Sequence, residues 1–352
     1  MKKEMKRIFF QDHNSINAHF KQSRDDFFVD EIMNFKTKDV GNYLIVKIQK
    51  QDMSTLELLE LLEEELNCYN IGYAGLKDKY ATTTQYLSFP LKFSRDLKHF
   101  RHPQIKILET FQARSGLSIG DLEGNRFKIR LHKVGRFHAQ QITEILNSVM
   151  RNGMPNYFGY QRFGKDVENF DKAREIAHGE IVLKDRRINK LLSNAYQSHL
   201  FNDWLRERVL LSNEINEDEE RKLALNNQAF LFRVLEGDVM LNSKSLKWEN
   251  VTDIKALKKP YKEKKLLPTG LLCGTKVWHA QGEAGELERK YNDEDVQAKG
   301  DRRLAIVFPS KIESKHEDKN EILELSFTLP KGSYATVLIE NLLNTDLTPR
   351  PK

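Results

Sequence analysis

Short stretches in which apolar and polar residues alternate predict β-strands near both ends of the chain. The clearest alternating stretches are residues 126–131 (RFKIRL) and 323–329 (LELSFTL), and residues 42–49 (NYLIVKIQ) are predicted as a strand because they are rich in Ile, Val and Tyr. Alternation puts every second side chain on one face of a sheet, and Ile, Val, Tyr and Phe favour strands. We therefore expect an antiparallel-rich sheet, with strands contributed by both ends of the chain.

Helices are predicted between these strands. Ser54 followed three residues later by Glu57 is typical of a helix start, because each side chain can bond a free backbone amide at the helix end. Leucines then recur at the spacing of one helix face up to Leu66. Further helices are expected over residues 139–150 and 336–343.

The composition changes near residue 182. Residues 182–307 contain all three tryptophans, a basic helical stretch that begins at Arg186, and a lysine-rich stretch at 255–265. We expect these residues to form an inserted α/β domain. The flanking segments would then form one discontinuous domain, residues 1–181 with 308–352, which gives an α+β fold.

Composition argues against several classes of protein. No apolar run approaches the ~18 residues that a membrane span needs, and no apolar leader follows the basic first residues, so we expect no membrane association and a cytoplasmic location. Cys68 and Cys273 are far apart, which argues against a zinc ribbon or disulfide framework and predicts two buried thiols. The net charge of +6 permits a nucleic-acid partner without requiring one.

Residues 72–78 (GYAGLKD) superficially resemble a nucleotide-binding loop. In a Walker loop the lysine directly follows the second glycine, but here Leu76 intervenes and Asp78 follows the lysine. An aspartyl phosphohydrolase would need a second carboxylate at position 80, which is Tyr80. No histidine pair has metal-ligand spacing beside a carboxylate. We therefore expect neither a nucleotide, nor another cofactor, nor a metal ion.

Asp78 is a lone acid between Lys77 and Lys79 on a glycine-containing loop. The flanking cations are expected to keep its carboxylate ionised, so that it can act as a nucleophile or a proton acceptor. The alternative is a turn aspartate that bonds its own backbone.

Two motifs resemble signatures of the TruD family of tRNA pseudouridine synthases. Residues 74–85 (AGLKDKYATTTQ) resemble A-G-x-K-D-x-x-A-x-T-x-Q, and residues 155–164 (PNYFGYQRFG) resemble P-N-Y-F-G-x-Q-R-F-G. Weaker agreements, among them residues 25–31 and 329–336, extend the resemblance over essentially the whole chain. It implies a pseudouridine-synthase-like catalytic domain with a mixed, mainly antiparallel sheet, interrupted by a TRUD domain.

The resemblance also implies an activity, the conversion of uridine 13 of tRNA to pseudouridine without a cofactor. Asp78 would be the nucleophile at the ribose C1′, and both a covalent adduct and a glycal intermediate remain open. Lys21 resembles the family's lysine that can pair with the nucleophile, although the usual Pro-Glu-Asp before Phe27 is here Arg-Asp-Asp. A solvated surface lysine is the alternative.

The same resemblance implies the residues that bind substrate. Phe158 resembles the family's stacking phenylalanine for a flipped base, and Asn156 can bond the uracil edge or its ribose. Phe27 and Tyr334 resemble aromatic residues near the substrate. Core packing is the alternative for both phenylalanines, and Arg162 is expected to brace its loop.

tRNA is the expected partner, with the inserted domain helping to bind it, and a monomer is the expected state. An RNA-binding module in which Asp78 is only structural is a second hypothesis. A third is that the substrate is another RNA.

Overall fold

The chain folds into two compact units. We describe them from a computed structural model that covers residues 7–10, 13–35, 40–163, 170–214 and 232–348. The large-sheet unit comprises residues 17–147 and 309–332. The helix-rich unit comprises residues 1–16, 148–308 and 333–352.

The large-sheet unit is built on a nine-stranded sheet. Its strands are β1 (His19–Phe20), β2 (Phe27–Ile32), β3 (Tyr43–Gln51), β4 (Gly72–Tyr73), β5 (Thr82–Pro90), β6 (Ile105–Ala113), β7 (Gly124–His132), β14 (Ser310–Glu317) and β15 (Ile322–Pro330). The order is β14-β15-β7-β2-β5-β3-β6, with β1 beside β7 and β4 beside β5. β2 and β5 run parallel, and the other strand pairs of this sheet are antiparallel. The predicted mixed, mainly antiparallel sheet and its three clearest strands are confirmed.

Helix α1 (Thr55–Leu66) packs its leucine face on this sheet. Ser54 caps the helix and forms the predicted reciprocal bonds with Glu57. The buried leucines of α1 share a core with the apolar faces of β3 and β5. The helices α2 (Ser94–His99) and α3 (Arg136–Asn152) and a 3-10 turn at Leu91–Phe93 follow. The capped helix start predicted from the sequence is therefore confirmed.

The helix-rich unit contains two smaller sheets. The two-stranded sheet pairs β8 (Met154–Pro155) with β13 (Ile306–Val307). The four-stranded sheet has the order β10 (Trp248–Asn250), β9 (Val239–Asn242), β11 (Leu266–Leu272) and β12 (Asp301–Leu304). The helices of this unit are α4 (Phe170–Ala177), α5 (Arg186–Glu214), α6 (Ile254–Lys262), α7 (Gly282–Arg289) and α8 (Ala335–Leu343), with a 3-10 turn at Tyr160–Arg162.

The packing of α5 on β11 depends on a glycine. A Cβ atom at Gly270 would lie 2.2 Å from the ring of Trp204. Real Cβ atoms do not approach other heavy atoms so closely, so only glycine lets the indole lie against the strand. Trp204 in turn belongs to the core that also holds Phe158 and Phe201.

The bounds of the two units differ from those of the predicted domains. Residues 148–181 group with residues 182–308 in the helix-rich unit. The assignment of a catalytic domain and an inserted TRUD domain concerns function and stays a prediction. Cys68 and Cys273 are buried free thiols, as predicted. Among the described residues, no helix is both long and apolar enough to cross a membrane.

Candidate functional site

The loop that carries Asp78 is fastened to the first turn of α1. The backbone N–H of Lys77 donates to Oγ1 of Thr55 at 2.8 Å. On the other side of Asp78, Nζ of Lys79 donates to Oε1 of Glu57 at 2.5 Å. Both neighbours of Asp78 are therefore held by one helix terminus, which fixes the path of the loop between them.

Two buried lysines lie under this loop. Nζ of Lys50, at the end of β3, donates to the backbone carbonyl oxygens of Met53 and of Asp78, the latter at 3.2 Å. Nζ of Lys77 pairs with Oε1 of Glu31 at 2.6 Å, and both side chains are buried. Lys77 thus has a compensating carboxylate, whereas no described carboxylate lies within ion-pair distance of Lys50.

Burial shifts the pKa values of Asp78 and Lys50. It raises the pKa of Asp78 above the usual aspartate value, and the cations of Lys50 and Lys77 and a hydrogen bond with Gln22 only partly oppose this shift. Burial also lowers the pKa of Lys50 to about 8. Lys77 and Lys50 favour the ionised form of Asp78, as expected of a neighbouring cation, whereas Lys79 faces Glu57. That Asp78 is ionised stays a prediction. The Asp78 carboxylate is a stronger base than an ordinary aspartate.

Lys21 and Phe27, the other predicted residues of this unit, lie in different surroundings. Lys21 is exposed and forms no ion pair with a described carboxylate, while the next residue, Gln22, is the one that bonds Asp78. Phe27 is 1% exposed and packs edge-on against Phe20 and Phe127. The catalytic role of Lys21 and the substrate role of Phe27 stay predictions.

The open face of the sheet presents a different phenylalanine. Phe28 points away from Phe27 because successive strand side chains alternate. Nζ of Lys128 lies 5.2 Å and Cζ of Arg130 lies 5.7 Å from the centroid of its ring. A groove of about 290 Å³ follows this face, with Phe28, Lys128 and Thr82 in its lining. The sequence analysis missed this surface, although two adjacent phenylalanines in one strand must face opposite sides.

In the helix-rich unit the structure brings Asn156, Phe158 and Tyr334 together. The rings of Phe158 and Tyr334 meet edge-on with centroids 6.1 Å apart. The Asn156 amide is engaged internally, because Nδ2 donates to the Leu304 carbonyl at 3.0 Å and Oδ1 accepts from Arg303 at 3.0 Å. These three predicted residues therefore share one local environment.

Arg303 is the residue of this group that the sequence analysis missed. Its Cζ lies 3.8 Å from the centroid of Phe158, and its Nε and Nη2 donate to the backbone carbonyl of Asn156. Burial lowers the pKa of Arg303 to about 10, which leaves it charged at neutral pH. One weak indication of Arg303 was present in the sequence. Two successive arginines on a strand point to opposite faces, so they need two different environments, and Arg302 takes one of them by pairing with buried Glu288.

A histidine-carboxylate cluster in the same unit is explained by its own hydrogen bonds. Possible ligand atoms of His178, Asp293 and Asp295 lie within 4.8 Å of one another. Nε2 of His178 contacts Asp293 at 2.8 Å, and the Tyr196 hydroxyl donates to the same carboxylate at 2.6 Å. The bonds tie α4 and α5 to the loop after α7, which is a structural role.

Comparison with known proteins gives matches along nearly the whole chain. The family model for tRNA pseudouridine synthase D (TruD) matches residues 5–184 and 177–342. The tRNA pseudouridine synthase D of a Nitratiruptor species is 41% identical, over 96% of this chain and 98% of its own. The Wolinella succinogenes protein of the same name is 40% identical, over 97% of this chain and 99% of its own length. A crystal structure from Methanosarcina mazei, described as a putative TruD, has the same fold, with a TM-score of 0.69 at 23% identity over 96% of each chain.

Proposed function

Because the chain belongs to the TruD family of tRNA pseudouridine synthases, we propose that it converts uridine 13 of tRNA to pseudouridine without a cofactor, with Asp78 as the nucleophile. In this isomerisation the bond from C1′ to N1 of uracil breaks and a bond from C1′ to C5 forms. C5 loses a proton and N1 gains one, so substrate and product have the same composition.

The environment of Asp78 is the observation that carries this proposal. The carboxylate lies in the matched motif, and burial makes it more basic and less solvated than an exposed aspartate. The bonds from its neighbours to Thr55 and Glu57 hold the loop before substrate arrives, which reduces the entropy lost on reaching the reactive geometry. Lys50 stabilises the ionised form from beneath.

Substrate binding is assigned to Asn156, Phe158 and Tyr334. A uridine taken out of its stack needs an aromatic surface and a polar group for its edge, and Phe158 and Asn156 are residues of these two kinds. Both are buried, and the Asn156 amide bonds Leu304 and Arg303, so the uridine would have to displace existing contacts. The support is that the three residues meet in one place. Lys21 is proposed to assist Asp78, and Phe27 to approach the substrate, from their family resemblance alone. The partner is tRNA, and we propose a cytoplasmic monomer.

The test is pseudouridine mapping on an unmodified tRNA transcript. Wild type and the control variant Asp96→Asn, which changes an exposed carboxylate on α2, should both modify uridine 13. Asp78→Asn should bind the transcript with wild-type affinity and give no detectable product. Equal product from Asp78→Asn would remove the nucleophile assignment. Product at another uridine would remove only the position, and tight binding without any wild-type product would favour the RNA-binding module.

A further inference from the structure

Two arginines that pair with no carboxylate of the described residues lie near the ring of Phe158. The Cζ atoms of Arg303 and Arg162 lie 3.8 Å and 5.5 Å from the ring centroid. Nε of Arg162 donates to Oγ of Ser198 at 3.1 Å. Across the described part of the chain, no carboxylate oxygen lies within ion-pair distance of either guanidinium. Other buried arginines of this unit do have such partners, as Arg208 has in Asp238.

The bonds that Arg303 makes leave part of its donor capacity unused. Nε and Nη2 donate to Asn156, but Nη1 donates to no described residue. Arg303 as a whole residue is partly exposed, although its charge lies in buried surroundings that lower its pKa. Phe158 and Asn156 therefore hold the guanidinium in place, and its Nη1 is a donor that no described residue uses.

The charges of the two arginines also repel each other. Arg162 acts to lower the pKa of Arg303, in the same direction as burial. Attraction to the face of Phe158 offsets only part of the cost of removing a cation from water. An anion near the two groups would compensate their charge and could accept a hydrogen bond from Nη1 of Arg303.

We propose that Arg162 and Arg303 form an anion site beside Phe158 that binds a phosphodiester group of the RNA substrate. The inference rests on the proposed function, which supplies a polyanionic partner. A phosphodiester fits better than a uracil carbonyl, because only the phosphate carries a full negative charge that can compensate the two cations. Planar guanidinium groups also match the spacing of phosphate oxygens. The site would hold the backbone next to a base that lies against Phe158.

The test combines protein variants with removal of one charge from the RNA. Transcripts are ligated with a neutral methylphosphonate on the 5′ or the 3′ side of the target uridine, and dissociation constants are measured by fluorescence anisotropy. For one of these positions, wild type should bind about tenfold more weakly than to the all-phosphate RNA. Arg303→Gln should already bind the all-phosphate RNA about tenfold more weakly, with no further loss on the methylphosphonate.

Controls separate this coupling from a folding defect. Arg289→Gln, which changes an exposed arginine on α7, should keep the wild-type response to the methylphosphonate. Arg303→Lys keeps a charge and should retain part of that response, and Arg162→Gln should reduce it even if Arg303→Gln does not fold. The same methylphosphonate penalty in Arg303→Gln and Arg162→Gln as in wild type would overturn the site. Product formation by wild type on the all-phosphate transcript reports on the proposed function separately.

Discussion

Replacing Lys50 by methionine tests whether a charged amino group is buried under the Asp78 loop. Methionine has a similar length but carries no charge and cannot donate to the carbonyls of Met53 and Asp78. The variant therefore removes both the cost of burying a cation and two hydrogen bonds. These two effects differ in how they depend on pH, so a pH series separates them.

The pH-dependent part follows from the pKa of Lys50, which burial lowers from 10.5 to about 8. A lysine whose pKa is lower in the folded state costs stability while it is charged, and this cost disappears as the pH rises from 8 towards 10.5. At 1.36 kcal/mol per pKa unit, the cost is about 3 kcal/mol at pH 7 and roughly 1 kcal/mol at pH 9.5. Wild type should thus gain about 2 kcal/mol relative to Lys50→Met over this interval.

The assay is urea denaturation followed by far-ultraviolet circular dichroism at both pH values. Comparing each variant with wild type at the same pH cancels groups that titrate alike in the two proteins. Lys106→Met, which changes an exposed lysine on β6, should show no such pH-dependent difference. If the difference between wild type and Lys50→Met is the same at pH 7 and pH 9.5, then Lys50 does not carry a desolvated charge and the reasoning fails.

The activity of Lys50→Met provides a second test of this buried charge. Lys50→Met removes a cation that stabilises the Asp78 carboxylate, so the single-turnover rate at pH 7 should fall by about 100-fold. Unchanged activity in a folded Lys50→Met would show that the cation does not support Asp78 in the proposed role of nucleophile.

Three further outcomes are expected. Glu31→Gln should lower the free energy of unfolding by about 3–5 kcal/mol, because buried Lys77 loses its ion pair, and a loss below about 1 kcal/mol in urea denaturation would contradict this. Gly270→Ala should destabilise the protein by about 1–3 kcal/mol through the contact with Trp204, and an unchanged melting temperature would show that the strand shifts freely. The single-turnover rate should fall on acidification at a pH above 3.8, the ordinary aspartate value, because the pKa of Asp78 is raised; an acid limb at or below that value would show an ordinary carboxylate.

Local sequence patterns predicted the secondary structure around the site. The bonds between Ser54 and Glu57 form within one helical turn, so the sequence spacing alone determines that they can meet. Alternation in residues 126–131 likewise determines which strand face is apolar, and this stretch forms β7. Residues 42–49, rich in residues that favour strands, form β3. The motif around Asp78 identified the loop, but not what lies beneath it.

The electrostatics of the site depend on contacts between residues distant in sequence. Lys50 lies near the end of a strand with polar neighbours, a pattern typical of a surface lysine, yet it is buried and its Nζ donates to the carbonyl of Asp78, 28 residues away. Lys79 pairs with Glu57, 22 residues away, so its charge is directed at Glu57 although it is adjacent to Asp78 in the sequence. Arg303 is far from Phe158 in the sequence, and nothing in its own segment indicates the ring on which it lies.

The attachment of the Asp78 loop to the start of α1 affects how mutational scans of this protein should be interpreted. If Asp78 is the nucleophile, as proposed, substitutions of Thr55 or Glu57 that break their bonds to the loop would displace its carboxylate and lower turnover, although neither residue needs to touch RNA. A screen scored only on activity would count such positions among the residues that take part in the reaction. A parallel screen for abundance would not correct the error, because losing a single hydrogen bond leaves most of the protein folded. Hydrogen exchange at the Lys77 amide would distinguish the two kinds of position, since it reports whether the loop remains attached.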